Sequence, residues 1–69
     1  MLNAELLARK IKESGKKKGY IAEKVGLSRQ GLKNCLDGTA FFNTSHIGIL
    51  CKELNITSLR EKNDIFFAD

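Results

Sequence analysis

The chain reads as an all-α domain of five short helices, and three observations predict it. The stretch "NTSHIGILCKELNI" carries Ile47, Leu50, Cys51 and Leu54 at i, i+3, i+4 and i+7, the spacing of one buried helical face. No segment alternates apolar and polar residues with period two for long, which argues against strands. Helix punctuation recurs along the chain: Asn3, Ser28 and Ser58 are suited to cap, glycines 15, 26 and 38 are suited to stop, and proline is absent.

Asn3 caps a first helix whose apolar positions are Leu7, Ala8 and Ile11, with Leu6 alongside, and Gly15 ends it. After "KKKGY" a second helix carries Ile21, Ala22 and Val25 up to Gly26. Ser28 caps a third, which runs to about Leu36 and closes at Asp37-Gly38. The loop "TAFFN" follows, with Phe41 and Phe42 expected to pin it to the core, and Asn43 or Thr44 starts the fourth helix. Ser58 with Glu61 three residues later matches a capping box for a short fifth. The whole is one domain with its core over 3–62. The tail "DIFFAD" (63–69 with Asn63) has two open readings. It folds back onto the core, or Phe66 and Phe67 join Ile49 and Leu59 in an exposed apolar patch suited to self-association.

A chain of 69 residues sits near the lower size limit for unaided folding, burying about 60% of its unfolded surface. Its 42% apolar and 29% charged residues are those of a globular domain. The net charge of +4 is unevenly placed: residues 1–38 hold nine basic against four acidic residues, a net of +5, and the remainder nets −1. A basic excess confined to one half suggests a face that meets a polyanion.

Several function classes drop out. Cys35 and Cys51 fall at apolar helix positions, where a free thiol acts as a small hydrophobe, and a reducing cytosol is expected. With His46, itself expected on a helix surface, they make no metal set. There is no base–nucleophile pair and no glycine-rich phosphate loop, so no enzyme and no cofactor is expected. No apolar run of about 18 residues or signal peptide occurs, and the first helix lacks an aromatic membrane anchor.

The informative unit is the helix pair from Lys18 to about Asp37. Two short helices crossing through a tight turn need a small residue at the close approach, positive φ in the turn and apolar inner faces. Ala22, Gly26, and the set Ile21, Val25, Leu27, Leu32 and Cys35 meet those needs. The third helix turns Arg29, Gln30, Lys33, Asn34 and Asp37 outward. Among them sits Gly31, which costs about 1 kcal/mol relative to alanine in a helix. Close approach to a ligand and close packing on the preceding helix are both open explanations for it.

"YIAEKVGLSRQGLKNCLDG" resembles the helix-turn-helix of Cro/cI-type phage repressors and the wider XRE-like, lambda-repressor-like group of bacterial regulators. The likeness extends to the preceding helix, the loop "GTAFFN", the helix "TSHIGILCKELNI" and the turn after Thr57, about residues 3–62 in all. It implies a compact five-helix DNA-binding domain, with the helix-turn-helix at about 18–37.

The family's second motif helix enters the DNA major groove, which makes Arg29, Gln30, Lys33 and Asn34 the base-reading candidates. Arg and Lys suit guanine O6 and N7; Gln and Asn suit adenine N6 and N7. The family's backbone grip falls on Lys17, Lys18, Ser28, Thr39 and Asn43, with Lys16 less central. One departure stands out: the family commonly has glutamine where this chain has Lys18, so any support of Gln30 from that side chain is in question. No basic arm is expected to reach round the DNA.

The resemblance thus implies a Cro-like repressor, binding double-stranded DNA at a palindromic operator as a homodimer, without a small-molecule ligand. Its place would be the bacterial cytoplasm, at the nucleoid, with a phage or chromosomal gene. A protein-docking module of antirepressor type is the alternative use of the same fold.

Overall fold

The computed structural model describes residues 1–68. Five helices follow in order: α1 (Ala4–Glu13), α2 (Lys18–Val25), α3 (Arg29–Asp37), α4 (Thr44–Glu53) and α5 (Leu59–Phe66), with no strand among the described residues. The all-α expectation is met. α2 packs against α3 and α4, while α1 bridges α3 and α5.

Local chemistry sets the helix starts. The Asn3, Ser28, Asn43 and Ser58 side chains each accept a backbone N–H from the first turn that follows. α2 alone begins without a side-chain cap, at Lys17. Three helix ends share one geometry. A residue in the left-handed region (Gly26, Gly38 or Asn55) lets the next N–H reach back five residues, as Leu27 does to the Ala22 carbonyl at 2.8 Å.

Each helix contributes one fully buried large aliphatic residue: Leu7, Ile21, Leu32, Leu50 and Ile65. Ile11, Ala22, Val25, Leu54, Ile56 and Phe66 complete the central cluster, and the buried Cys35 lies on the inner side of α3. Ala22, expected at the helix-pair approach, is buried.

The tail is part of this core. α5 continues through Phe66, and the Asn3 N–H donates to the Ile65 carbonyl at 2.6 Å, tying the α1 cap to the last turn of α5. Phe66 is 6% exposed and meets Phe42 edge to face at 6.2 Å. Of the two open readings of this segment, folding back describes Ile65 and Phe66.

Other expectations need correction. The Ser58–Glu61 pair forms half a capping box: Ser58 Oγ accepts the Glu61 N–H at 3.3 Å, but the Glu61 carboxylate turns to Lys10 Nζ at 2.7 Å. The full reciprocal box is at α4, where Asn43 Oδ1 accepts the His46 N–H at 2.8 Å and His46 Nδ1 accepts the Asn43 N–H at 3.2 Å. His46 therefore has a capping role beyond a surface position. Ala8 is exposed and does not share the buried stripe of Leu7 and Ile11. Phe42 pins its loop as expected, but Phe41 is 89% exposed.

Candidate functional site

The start of α3 is built by its turn. Gly26 takes φ +90°, and Ser28 Oγ accepts the Gly31 N–H at 2.9 Å. With that start, Leu32 and Cys35 face the core, leaving Arg29, Gln30 and Lys33 exposed and Asn34 half-buried. Gly31 now has a local explanation. A Cβ there would lie 3.2 Å from Ser28 Oγ and 3.6 Å from Leu27 Cβ, so the crowding comes from the cap and turn. Packing on α2 is not what it relieves.

Between α1 and α3 runs a groove of about 530 Å³. Ala4, Glu5 and Ala8 line one side, Arg29, Gln30 and Lys33 the other, with Lys18 also in its lining. Among the described residues, the ion pairs are Lys10–Glu61 at 2.7 Å and Lys16–Glu53 at 3.4 Å. Lys17, Lys18, Arg29 and Lys33 take part in neither, so their charge faces solvent. Glu5 and Asp37, also in the groove lining, are the acidic counterweight. Asp37 was expected on the outward face of α3, whereas Glu5 was not anticipated from the sequence.

Each expected contact residue has a definite situation. A Cβ on Gly19 would lie 3.4 Å from Arg29 Nε and 3.5 Å from its Cδ, so the arginine lies over the first turn of α2. That brings Arg29 to the groove side of α2, where Lys18 also lies, an association across the turn that its sequence neighbours do not signal. Gln30 Nε2 donates to Asn34 Oδ1 at 2.9 Å, joining two of the expected base readers. The Asn34 carbonyl accepts the Thr39 N–H at 2.9 Å, the Ala40 N–H at 3.2 Å and the Thr39 hydroxyl at 3.1 Å.

Thr39, a phosphate candidate, has its exposed hydroxyl donating to the Asn34 carbonyl. Asn43 keeps its Nδ2 hydrogens while Oδ1 caps α4, and Ser28 keeps its own hydroxyl proton. Lys16 is drawn off to the α4 terminus, donating to the Glu53 carbonyl at 2.7 Å. It also lies 5.8 Å from the Tyr20 ring, with Lys24 at 5.5 Å.

The four residues of the expected apolar patch divide. Phe66 is buried and is withdrawn from that surface, and Ile49 is half-buried against the core. Leu59 at 70% and Phe67 at 55% exposure remain outside.

Burial pushes both thiols, Cys35 and Cys51, up from their ordinary value, which disfavours the nucleophilic thiolate. Among the described residues no three His, Cys, Asp or Glu side chains gather as metal ligands. No described helix is long and apolar enough to cross a membrane. No family model, curated protein or solved structure matches the chain, so the likeness to Cro/cI-type regulators rests on the residues quoted for it.

Proposed function

We propose that the chain is a small sequence-specific DNA-binding regulator, a Cro-like repressor that binds a palindromic operator as a homodimer. One observation carries this reading: Lys18, Arg29 and Lys33 line one groove with the Gln30 amide and take part in neither ion pair. An unneutralised cation costs nothing in water and gains most beside a phosphate, where its binding releases counterions. The amides are the chemistry that reads adenine in a major groove. In this reading α3 lies in the groove with Arg29, Gln30, Lys33 and Asn34 toward the bases, and Lys17 and Lys18 hold the backbone beside it.

The test is selection from a random duplex pool, with affinity for the winners measured at two salt concentrations. An enriched palindrome with half-sites about one helical turn (10–10.5 bp) apart is expected. Raising salt should weaken binding steeply. No enriched sequence, with binding indifferent to salt, would overturn the reading.

A second reading, a protein-docking module, is favoured by the exposed Phe41 beside a groove of about 520 Å³ lined by Met1, Leu2, Leu36, Ile47 and Phe66. Phe41→Ser separates the two, because it leaves DNA selection intact under the first reading and abolishes partner binding under the second.

A further inference from the structure

We infer that two copies of the chain pair through Phe41, each ring entering the apolar groove beside the other copy's Phe41. This rests on the homodimeric DNA-binding reading above and deepens it by naming the surface that joins the two halves.

Phe41 is 89% exposed, yet its loop is not slack. Before it, the Thr39 and Ala40 N–H groups are both held by the Asn34 carbonyl, at 2.9 and 3.2 Å. After it, Phe42 meets Phe66 edge to face at 6.2 Å, and Asn43 caps α4. A short loop fastened on both sides thus holds one aromatic ring out in water. Burying that ring gains the hydrophobic term of a large side chain, with little ordering left to oppose it.

The groove of about 520 Å³ begins at the same ring. Leu2 and Phe66, from the two ends of the described chain, already stand in its walls with Leu36 and Ile47. Charge then selects the occupant. At net +4, two copies repel wherever their lysines and arginines face each other. Among the described residues no lysine or arginine lines this groove, and Asp37 is its only charged side chain. Two copies meet here without opposing cations, whereas a phosphate or an acidic partner finds nothing to bind.

Phe41 stands at the rim of its own groove, so a twofold axis beside it carries each ring into the other copy's groove. The same patch meets itself. This groove shares Ala4, Leu36 and Asp37 with the one along α3 and includes neither Arg29 nor Gln30. Pairing therefore joins the copies near the C-terminal ends of their α3 helices and leaves the reading residues free. Of the four residues expected to self-associate, Phe66 alone borders this surface.

Area sets the strength. A stable free dimer buries about 1,200–2,000 Å² in total. Two phenylalanine rings supply roughly 300–500 Å² and the walls they cover about as much again, which falls short. The pair is weak in free solution and is completed where DNA holds two copies on adjacent half-sites.

The test compares the full chain, Phe41→Ser and Phe41→Leu on an isolated half-site and on the selected palindrome, with melts to show that both variants fold. Phe41→Ser should keep the selected half-site and its affinity for it. On the palindrome it should lose at least about tenfold in affinity, along with the cooperative steepness of binding. Phe41→Leu keeps an apolar side chain and should recover most of that loss. With labelled and unlabelled copies mixed on the palindrome, NMR should give contacts from the Phe41 ring of one copy to the Leu36 or Ile47 methyls of the other.

A Phe41→Ser chain that binds the palindrome as tightly as the unaltered chain overturns the inference and leaves DNA binding standing. So does a mixed sample without those intermolecular contacts. A half-site affinity that falls as far as the palindrome's would put Phe41 on the DNA, and overturns it too. If the unaltered chain enriches no sequence, the DNA-binding reading falls and the free chain decides the pairing. Phe41 and Leu36 resonances that move together as concentration rises then support it, and fixed resonances overturn it.

Discussion

Asn43 and His46 cap each other: the amide oxygen of Asn43 takes the His46 N–H at 2.8 Å, and the imidazole Nδ1 takes the Asn43 N–H at 3.2 Å. Histidine replaces the glutamate or glutamine that more often closes such a box. His46→Ala removes one half and should destabilise the chain by about 0.5–1 kcal/mol in urea unfolding, in the range of a lost cap contact. His46→Gln restores an acceptor and should recover most of it. Equal losses in both variants would mean the edge-to-face contact of His46 with Phe42, at 6.3 Å, matters more than the cap.

The last turn of α5 is expected to be as costly to disturb as any part of the core. Ile65→Ala should lose about 2–5 kcal/mol and Phe66→Ala about 3–5 kcal/mol, while Phe67→Ala should stay within about 0.5 kcal/mol. Thermal or urea melts of the three variants decide it. A small loss at Ile65 would contradict its complete burial.

Lys16 and Lys17 are neighbours with opposite expected roles. Lys17→Ala should weaken binding to all DNA sequences alike and lower the salt slope by about 1. Lys16→Ala removes the bond to the Glu53 carbonyl and should leave the slope nearly unchanged. A reversed pattern in salt-titrated binding would place the backbone grip at Lys16.

Gly31 can be tested through Ser28. A Gly→Ala change inside a helix ordinarily stabilises by about 1 kcal/mol. Here the new Cβ would sit 3.2 Å from the capping hydroxyl, so Gly31→Ala should give little or no gain in the unaltered chain. In a Ser28→Ala background the hydroxyl is gone and the full gain should appear. Identical gains in both backgrounds would show that the hydroxyl is no obstacle.

The buried thiol of Cys35 should react slowly with alkylating reagents in the folded chain and rapidly in urea. Its pKa is raised above 9.0 on folding, so the stability tied to the neutral thiol is fully present below about pH 9. It is lost as pH rises through the higher folded value, because the unfolded chain ionises first. Labelling at matched rates in native and unfolded protein would contradict this.

The parts of the fold legible in the sequence are those decided within a few residues. A serine or asparagine satisfies the next turn's N–H groups, and a glycine permits the left-handed residue after a helix, whatever lies elsewhere. Ile65 and Phe66 were ambiguous because their burial depends on α1 and Phe42, distant in sequence. Glu61 had two available partners, and Lys10, fifty-one residues earlier, outcompetes the local Ser58 N–H. At the site, helical spacing correctly turned Arg29, Gln30 and Lys33 outward. It could not say that Arg29 lies over Gly19, that Thr39 spends its proton on Asn34, or that Gln30 and Asn34 meet. Those are choices among competing partners, made after packing brings the helices together.

That all five helices send a fully buried aliphatic residue into one shared cluster has a dynamic consequence. The buried residues of all five helices form one cluster, so no part should outlast the rest when the chain opens. Central amides of all five should exchange with solvent through one shared event at the free energy of global unfolding. The outward amides of α3 would then be either presented in full register or lost together with everything beneath them.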